Sequence, residues 1–153
     1  MADGAHARVR HVAIVTGPID PLRLIAHVQH AGIGAVSLFL GTVRDLNDGL
    51  PVSGMDYEAY EPMAESELRG IAAEACDAAP ELVVAVEHRV GALAVGDVSV
   101  AIACAHPHRA PAMDASRFII DALKQRVPVW KREHYTSGER AWIDPTRPAV
   151  GRG

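Results

Sequence analysis

Only two of the chain's fifteen Lys and Arg residues are lysine, Lys124 and Lys131. An ammonium group can release its proton and act as base or nucleophile, and a guanidinium effectively cannot. Where arginine serves thirteen times as a plain positive charge, the two lysines mark either sites of proton chemistry or mere chance in codon use. Lys124 lies near the end of a predicted helix, and Pro128 turns the chain so that Lys131 starts a strand. The two side chains can approach one another across that turn. The plainer role for Lys124 is to complement the helix C-terminus. Whether crowding by Arg126, Lys131 and Arg132 opposes its charge is left open at this stage.

Two further segments place cations at element ends. His106-Pro107-His108-Arg109-Ala110-Pro111 leads from a predicted strand into a helix, with Ala110 as the expected N-cap. Alanine offers no acceptor to the free N–H groups of the first turn. Free donors, the helix dipole and the His108-Arg109 pair together suit a phosphate or carboxylate; solvent capping with surface histidines is the alternative. Gly41-Thr42-Val43-Arg44 follows another strand and reads as a glycine-assisted turn carrying a cation. A metal site built on His88, His106 and His108 would need a ligand geometry that the spacing does not supply. Cys76 and Cys104 lie far apart and outside any C-x-x-C pattern, which suits two small buried hydrophobes.

The bulk properties frame these clusters. A length of 153 residues suits one domain with a real core. The net charge of −4 provides no global field for nucleic acid or anionic lipid, so an anionic ligand must be met locally. No apolar run approaches the ~20 residues of a membrane helix. Residues 1–9 lack the apolar stretch of a secretory signal, so a cytoplasmic location is expected.

The elements that must position the clusters are legible from periodicity. His11–Thr16 reads as a first strand. Asp20-Pro21 starts a helix that Gly32 would stop. From Gly34 the period changes to two, with Val36, Leu38 and Leu40 opposite Ala35, Ser37 and Phe39. Asp45–Pro51 reads as a mobile loop, followed by a strand over Ser53–Ala59. Pro62 opens a helix to about Ala78, burying Ala64, Leu68, Ile71, Ala72 and Ala75, with Glu65 and Arg69 paired outside. Leu82–Val90 and Asp97–Ala105 read as antiparallel strands joined by Gly91–Gly96. The second has one face of Ser99, Ala101, Ala103 and Ala105, so another element should pack very close to it. A helix from Pro111 to Arg126 and a hairpin of Val129–Tyr135 with Arg140–Ile143 complete the domain. The fold class is α+β with a largely antiparallel sheet and packed helices. Residues 11–144 form the domain, with flexible tails at 1–10 and 145–153.

An ordered motif series covers roughly two-thirds of the chain, from Val36 to Ile143. It consists of Phe39-Leu-Gly-Thr-Val-Arg44, Tyr57-Glu-Ala-Tyr60, Glu87-His-Arg-Val-Gly91, Gly96-Asp97, His108-Arg109 and Leu123-Lys124 followed by Pro128-Val-Trp-Lys-Arg-Glu133. The series resembles the molybdopterin synthase catalytic-subunit family. That resemblance implies an α/β-hammerhead type of fold, a homodimer, and a small ubiquitin-like sulfur carrier bound to each subunit. The carrier's C-terminal Gly-Gly thiocarboxylate would deliver two sulfurs in turn to cyclic pyranopterin monophosphate. By position, the implied substrate contacts are Thr42, Val43, Arg44, His108, Arg109, Lys124, Lys131, Arg132 and Glu133. Lys124 takes the central catalytic role, and Lys131 supplies proton transfer or charge stabilisation. No metal or organic cofactor is required, since the sulfur arrives on the carrier. Thr42 stands where some relatives carry Lys, and His106-Pro107 replaces smaller residues. Two rival classes remain: a non-catalytic module binding a phosphorylated small molecule, and a metal-dependent hydrolase.

Overall fold

The computed structural model describes residues 7–143, and both proposed terminal tails lie largely outside that range. The first strand begins earlier than periodicity suggests, so β1 is Val9–Val15. Asp20 caps α1 (Pro21–Val28) by accepting from the Leu22 N–H at 3.0 Å. The helix ends four residues before Gly32, with Gln29 already extended. β2 is Ala35–Thr42. The segment expected to be a mobile loop is a tight hairpin of β3 (Leu46–Asn47) and β4 (Leu50–Ala59). Asp48 and Gly49 both have positive φ, +50° and +77°, as a two-residue hairpin turn requires.

α2 (Glu61–Ala78) buries the five residues expected and Cys76 as well, and Arg69 meets Glu65 at 3.1 Å. β5 (Val83–Arg89) leads through Gly91 directly into β6 (Gly91–Ala94), which pairs with β4. Periodicity alone shows Gly91–Gly96 only as a connection. Four residues are too short to show a period, and β6 finds its partner outside its own neighbourhood. β7 (Val98–His106) is followed by α3 (Arg109–Arg126), then the hairpin of β8 (Val129–Tyr135) and β9 (Arg140–Ile143).

The result is α+β. One sheet has the order β1-β5-β7-β2, antiparallel except for β1 with β5. Its Val84, Val86, Val100, Ile102 and Cys104 face α2 and α3. On the other side Val83, Ala85, Ala101, Ala103 and Ala105 meet Leu24 and Val28 of α1. The small-residue face therefore receives a close-packed helix, as its pattern predicts. The second sheet runs β3-β4-β8-β9, with β6 also on β4. β2 presents Val36, Leu38 and Leu40 outward, 36–38% exposed, because α1 does not reach this edge strand.

Ala103 is fully buried where α1 crosses the sheet. Ala103→Leu should overpack this contact and destabilise the fold by ~1–3 kcal/mol. Urea unfolding measures the effect, and an unchanged midpoint would show that α1 has room to move.

Candidate functional site

One cavity of about 240 Å³ lies where the two sheets meet the end of α3, and it collects residues from several separate elements. Gly41, Thr42 and Arg44 come from the end of β2, and Asn47 comes from the β3–β4 hairpin. Tyr57 comes from β4, Lys124 from the last turn of α3, and Lys131 with Glu133 from β8. Both lysines thus open on the same space, although a helix end and a turn separate them in sequence.

The neighbouring arginines are drawn elsewhere. Arg126 binds Glu67 at 2.8 Å and Glu74 at 2.7 Å on α2. Arg132 alternates with Lys131 along β8 and so emerges on the opposite face of the sheet. There its guanidinium donates to Asp56 at 2.7 and 3.2 Å and lies over the Trp142 ring. Both guanidiniums are thus held by carboxylates, and neither Arg126 nor Arg132 is among the residues that line this cavity.

Two more expected contacts are structural. Val43 turns inward to pack with Met55 and Leu93, and its backbone pairs with Asp97 O and Gly96 N. Glu133 is 2% exposed and accepts from Asn47 Nδ2 and from the Tyr135 hydroxyl, each at 2.6 Å. It ties the hairpin to β8 at the cavity wall.

Residues not expected from sequence line or back the same space. Tyr57 is half-buried, and its burial raises the phenol pKa despite a hydrogen bond with Ser99. His88 stands edge-on to Tyr57, with ring centroids 5.4 Å apart. Burial lowers its pKa to about 4, and the nearby Lys124 charge pushes the same way, so it is neutral at pH 7. Its Nδ1 faces the Arg89 carbonyl at 2.9 Å, which that nitrogen must meet as a donor. The Tyr57 and His88 motifs were visible, but nothing local tied them to the lysines.

His108 and Arg109 are not in this cavity. α3 begins at Arg109 with His108 as N-cap, two residues before the expected N-cap Ala110. Pro111 is accommodated in the first turn, where its missing N–H costs nothing. Neither helix-start side chain caps the turn, so the free N–H groups remain. Both residues are exposed, but Lys124 lies roughly 22 Å further along the helix at ~1.5 Å per residue. The histidine metal site fails on the same kind of distance. His88 pairs with Val100, six residues from His106, or about 20 Å along β7.

A larger cleft of about 470 Å³ lies between α2 and the first half of α3, lined by Ala75, Ala79, Pro80, His106 and Phe118 among others. It has no lysine or arginine. The smaller cavity is the one that gathers both lysines.

The family model for MoaE protein matches residues 14–126. The chain belongs to the MoaE family. It is 42% identical over 134 residues to the molybdopterin synthase catalytic subunit of Halalkalibacterium halodurans, covering 88% of this chain and 85% of that one. Its fold is similar to the crystal structure of molybdopterin synthase from Staphylococcus aureus. The TM-score is 0.82 at 34% identity, over 86% of this chain and 95% of that chain. It also shares its fold with a chain of the complex of subunits 1 and 2 of molybdopterin-converting factor from Helicobacter pylori 26695. There the TM-score is 0.71 at 22% identity, over 86% and 89% of the two chains.

Asp56 anchors the diverted arginine and gives this MoaE chain a pH signature. Burial raises its pKa, but Arg132 and His134 more than offset that, leaving it below the usual value. A depressed carboxyl stabilises the fold above its unfolded pKa, and the benefit is lost as pH falls through the folded one. Asp56→Asn should therefore cost stability at pH 7, with the gap to wild type closing below about pH 4. Thermal unfolding across pH measures this, and a gap independent of pH would refute it.

Proposed function

We propose that this chain is the catalytic subunit of a molybdopterin synthase. It transfers sulfur from a thiocarboxylated carrier protein to cyclic pyranopterin monophosphate, forming the molybdopterin dithiolene. The observation that carries this reading is the convergence of Lys124 and Lys131, with Arg44 and Thr42, on one open cavity in a MoaE chain. A thiocarboxylate and a cyclic phosphate are both anions, and a local cationic cavity suits them on a chain of net charge −4. Lys124 contacts the thiocarboxylate and assists its proton transfers, while Lys131 stabilises developing charge.

The sulfur comes from outside the chain. Cys76 and Cys104 are buried, and burial raises their thiol pKa values to about 11 and about 12, far from a reactive thiolate. A small ubiquitin-like carrier with a C-terminal Gly-Gly thiocarboxylate meets the need, because a flexible tail can enter a cavity closed to a folded domain. The reaction is assigned to the cytoplasm. No helix among the described residues is long and apolar enough to cross a membrane.

His108 and Arg109 join the same site from a second copy. β2 is an edge strand, with an outward row of Val36, Leu38 and Leu40. Its first residue, Ala35, pairs with His106 beside the start of α3, and its last residues line the cavity. Antiparallel pairing of β2 with its copy about a perpendicular two-fold keeps both α3 helices on one face and reverses their directions. The start of one α3 then stands by the end of the other, and the eight residues of β2 span ~25 Å, close to the separation to be bridged. The partner's helix start can then hold the substrate phosphate.

Lys124→Arg should nearly abolish molybdopterin formation in a reaction with thiocarboxylated carrier and pterin precursor, while the protein stays folded. Wild-type turnover by that variant would end the proposed role. Lys124→Ala chains, inactive alone, and Arg109→Ala chains, impaired in precursor binding, should recover roughly a quarter of wild-type activity when mixed and allowed to exchange at a precursor concentration too low for either alone. No recovery in mixtures shown to contain mixed dimers would exclude a shared site.

A further inference from the structure

The turn that launches α3 is held by a side chain for which the proposed chemistry has no use. His106 ends β7 and is 7% exposed. Its Nδ1 lies 2.9 Å from the backbone nitrogen of His108, whose N–H can only donate. Its Nε2 lies 3.0 Å from the carbonyl oxygen of Pro80, which can only accept. Both bonds are satisfied together by one species alone, the neutral imidazole protonated on Nε2. Either other form places a proton against the His108 N–H or leaves the Pro80 oxygen without its donor.

The backbone around this ring is equally constrained. The His106 carbonyl accepts from the Gly34 N–H at 3.2 Å, and a Cβ on Gly34 would collide with the Pro107 carbonyl oxygen. The N-cap residue His108 makes no side-chain capping bond of its own. The ring of His106 thus fixes the N-cap residue from two positions upstream and links it to Pro80, beyond the end of α2. The ring borders a cleft lined by Ala75, Ala79, Phe118 and the carboxylate of Asp114, and at 7% exposure little of it meets solvent.

We propose that His106 is a positioning residue. As the neutral Nε2–H tautomer, it holds the His108 N–H and thereby aims His108 and Arg109 at the anionic end of the substrate. It touches no substrate itself. The inference rests on the reading of Arg109 as a phosphate ligand in the synthase.

The test uses the full chain assembled with thiocarboxylated carrier. Long-range ¹H–¹⁵N correlation on the wild type near neutral pH should show His106 protonated at Nε2 and bare at Nδ1. The other tautomer, or the cation, would overturn the proposal. His106→Ala should raise KM for the pterin precursor about tenfold, the loss of one buried hydrogen bond, with kcat within about twofold. His106→Asn keeps an acceptor for the N–H two residues on, and should restore KM to within about threefold of wild type. In an Arg109→Ala background, His106→Ala should add almost nothing. A wild-type KM in His106→Ala, no rescue by Asn, or a full penalty added to Arg109→Ala would each overturn the assignment. If the wild type itself makes no molybdopterin, the synthase reading fails separately. His108 amide exchange then decides the inference: faster exchange in His106→Ala supports it, and unchanged exchange refutes it.

Discussion

The molecule is organised by the burial of β7 on both faces and both edges. It pairs with β5 on one side and β2 on the other, while α1 covers one face and α2 and α3 the other. Such a strand can only be composed of small or apolar residues, and the two faces divide that demand. Val100, Ile102 and Cys104 fill the thicker layer below α2 and α3, and three alanines admit α1 closely on the other side. Because β7 passes directly into the turn before α3, its fixed position also fixes where α3 starts and which way it runs. The cationic turn at one end of that helix and the lysine at the other inherit their places from one buried strand.

Electrostatics then sorts the cations that the fold brings near the cavity. Arg126 and Arg132 flank the two lysines in sequence, yet each is held by carboxylates pointing away from it. A guanidinium is weakly hydrated and forms forked bonds with carboxylates, so diversion by well-placed acids is cheap. What remains facing the space is Arg44 with two ammonium groups, and the ammoniums are the cations able to take part in proton transfer. Asp56, Glu67 and Glu74 thereby shape the site without entering it. The rarity of lysine has a structural counterpart: each of the two stands where a flexible cation meets an open cavity.

Much of this was legible in sequence where the signal is local or strictly periodic. Asp20-Pro21 marks a helix start by its own chemistry, and the alanine face of β7 announces a close neighbour. The proximity of Lys124 and Lys131 followed from one proline. What escaped depended on partners distant in sequence. β6 is defined by β4, and the exposed face of β2 is set by how far α1 extends. Asp48-Gly49 was a local signal misread, since an Asp-Gly pair between short strands favours a hairpin over a mobile loop. The placement of Arg132 was available too: given β8 as a strand, it must oppose Lys131 and Glu133. The separation of Arg109 from Lys124 needed only the length of α3.

Glu133 illustrates how a residue of a site's motif can hold the cavity wall together. The cavity wall joins three chain segments: the β3–β4 hairpin, β4 and β8. Leu46 and Leu50, on either side of the hairpin tip, are both exposed. The tie is instead the Glu133 carboxyl, which takes Asn47 from the hairpin and Tyr135 from its own strand on a single oxygen. A buried acid with two donors costs less desolvation than an unpaired one, and it fixes two segments at once. Directly above it, Lys131 and Lys124 gain a wall whose shape does not depend on a bound anion. A cavity preorganised in this way spends little binding energy on ordering its own walls, leaving more of it to hold the substrate. The acid in the motif serves the cations by holding their surroundings still.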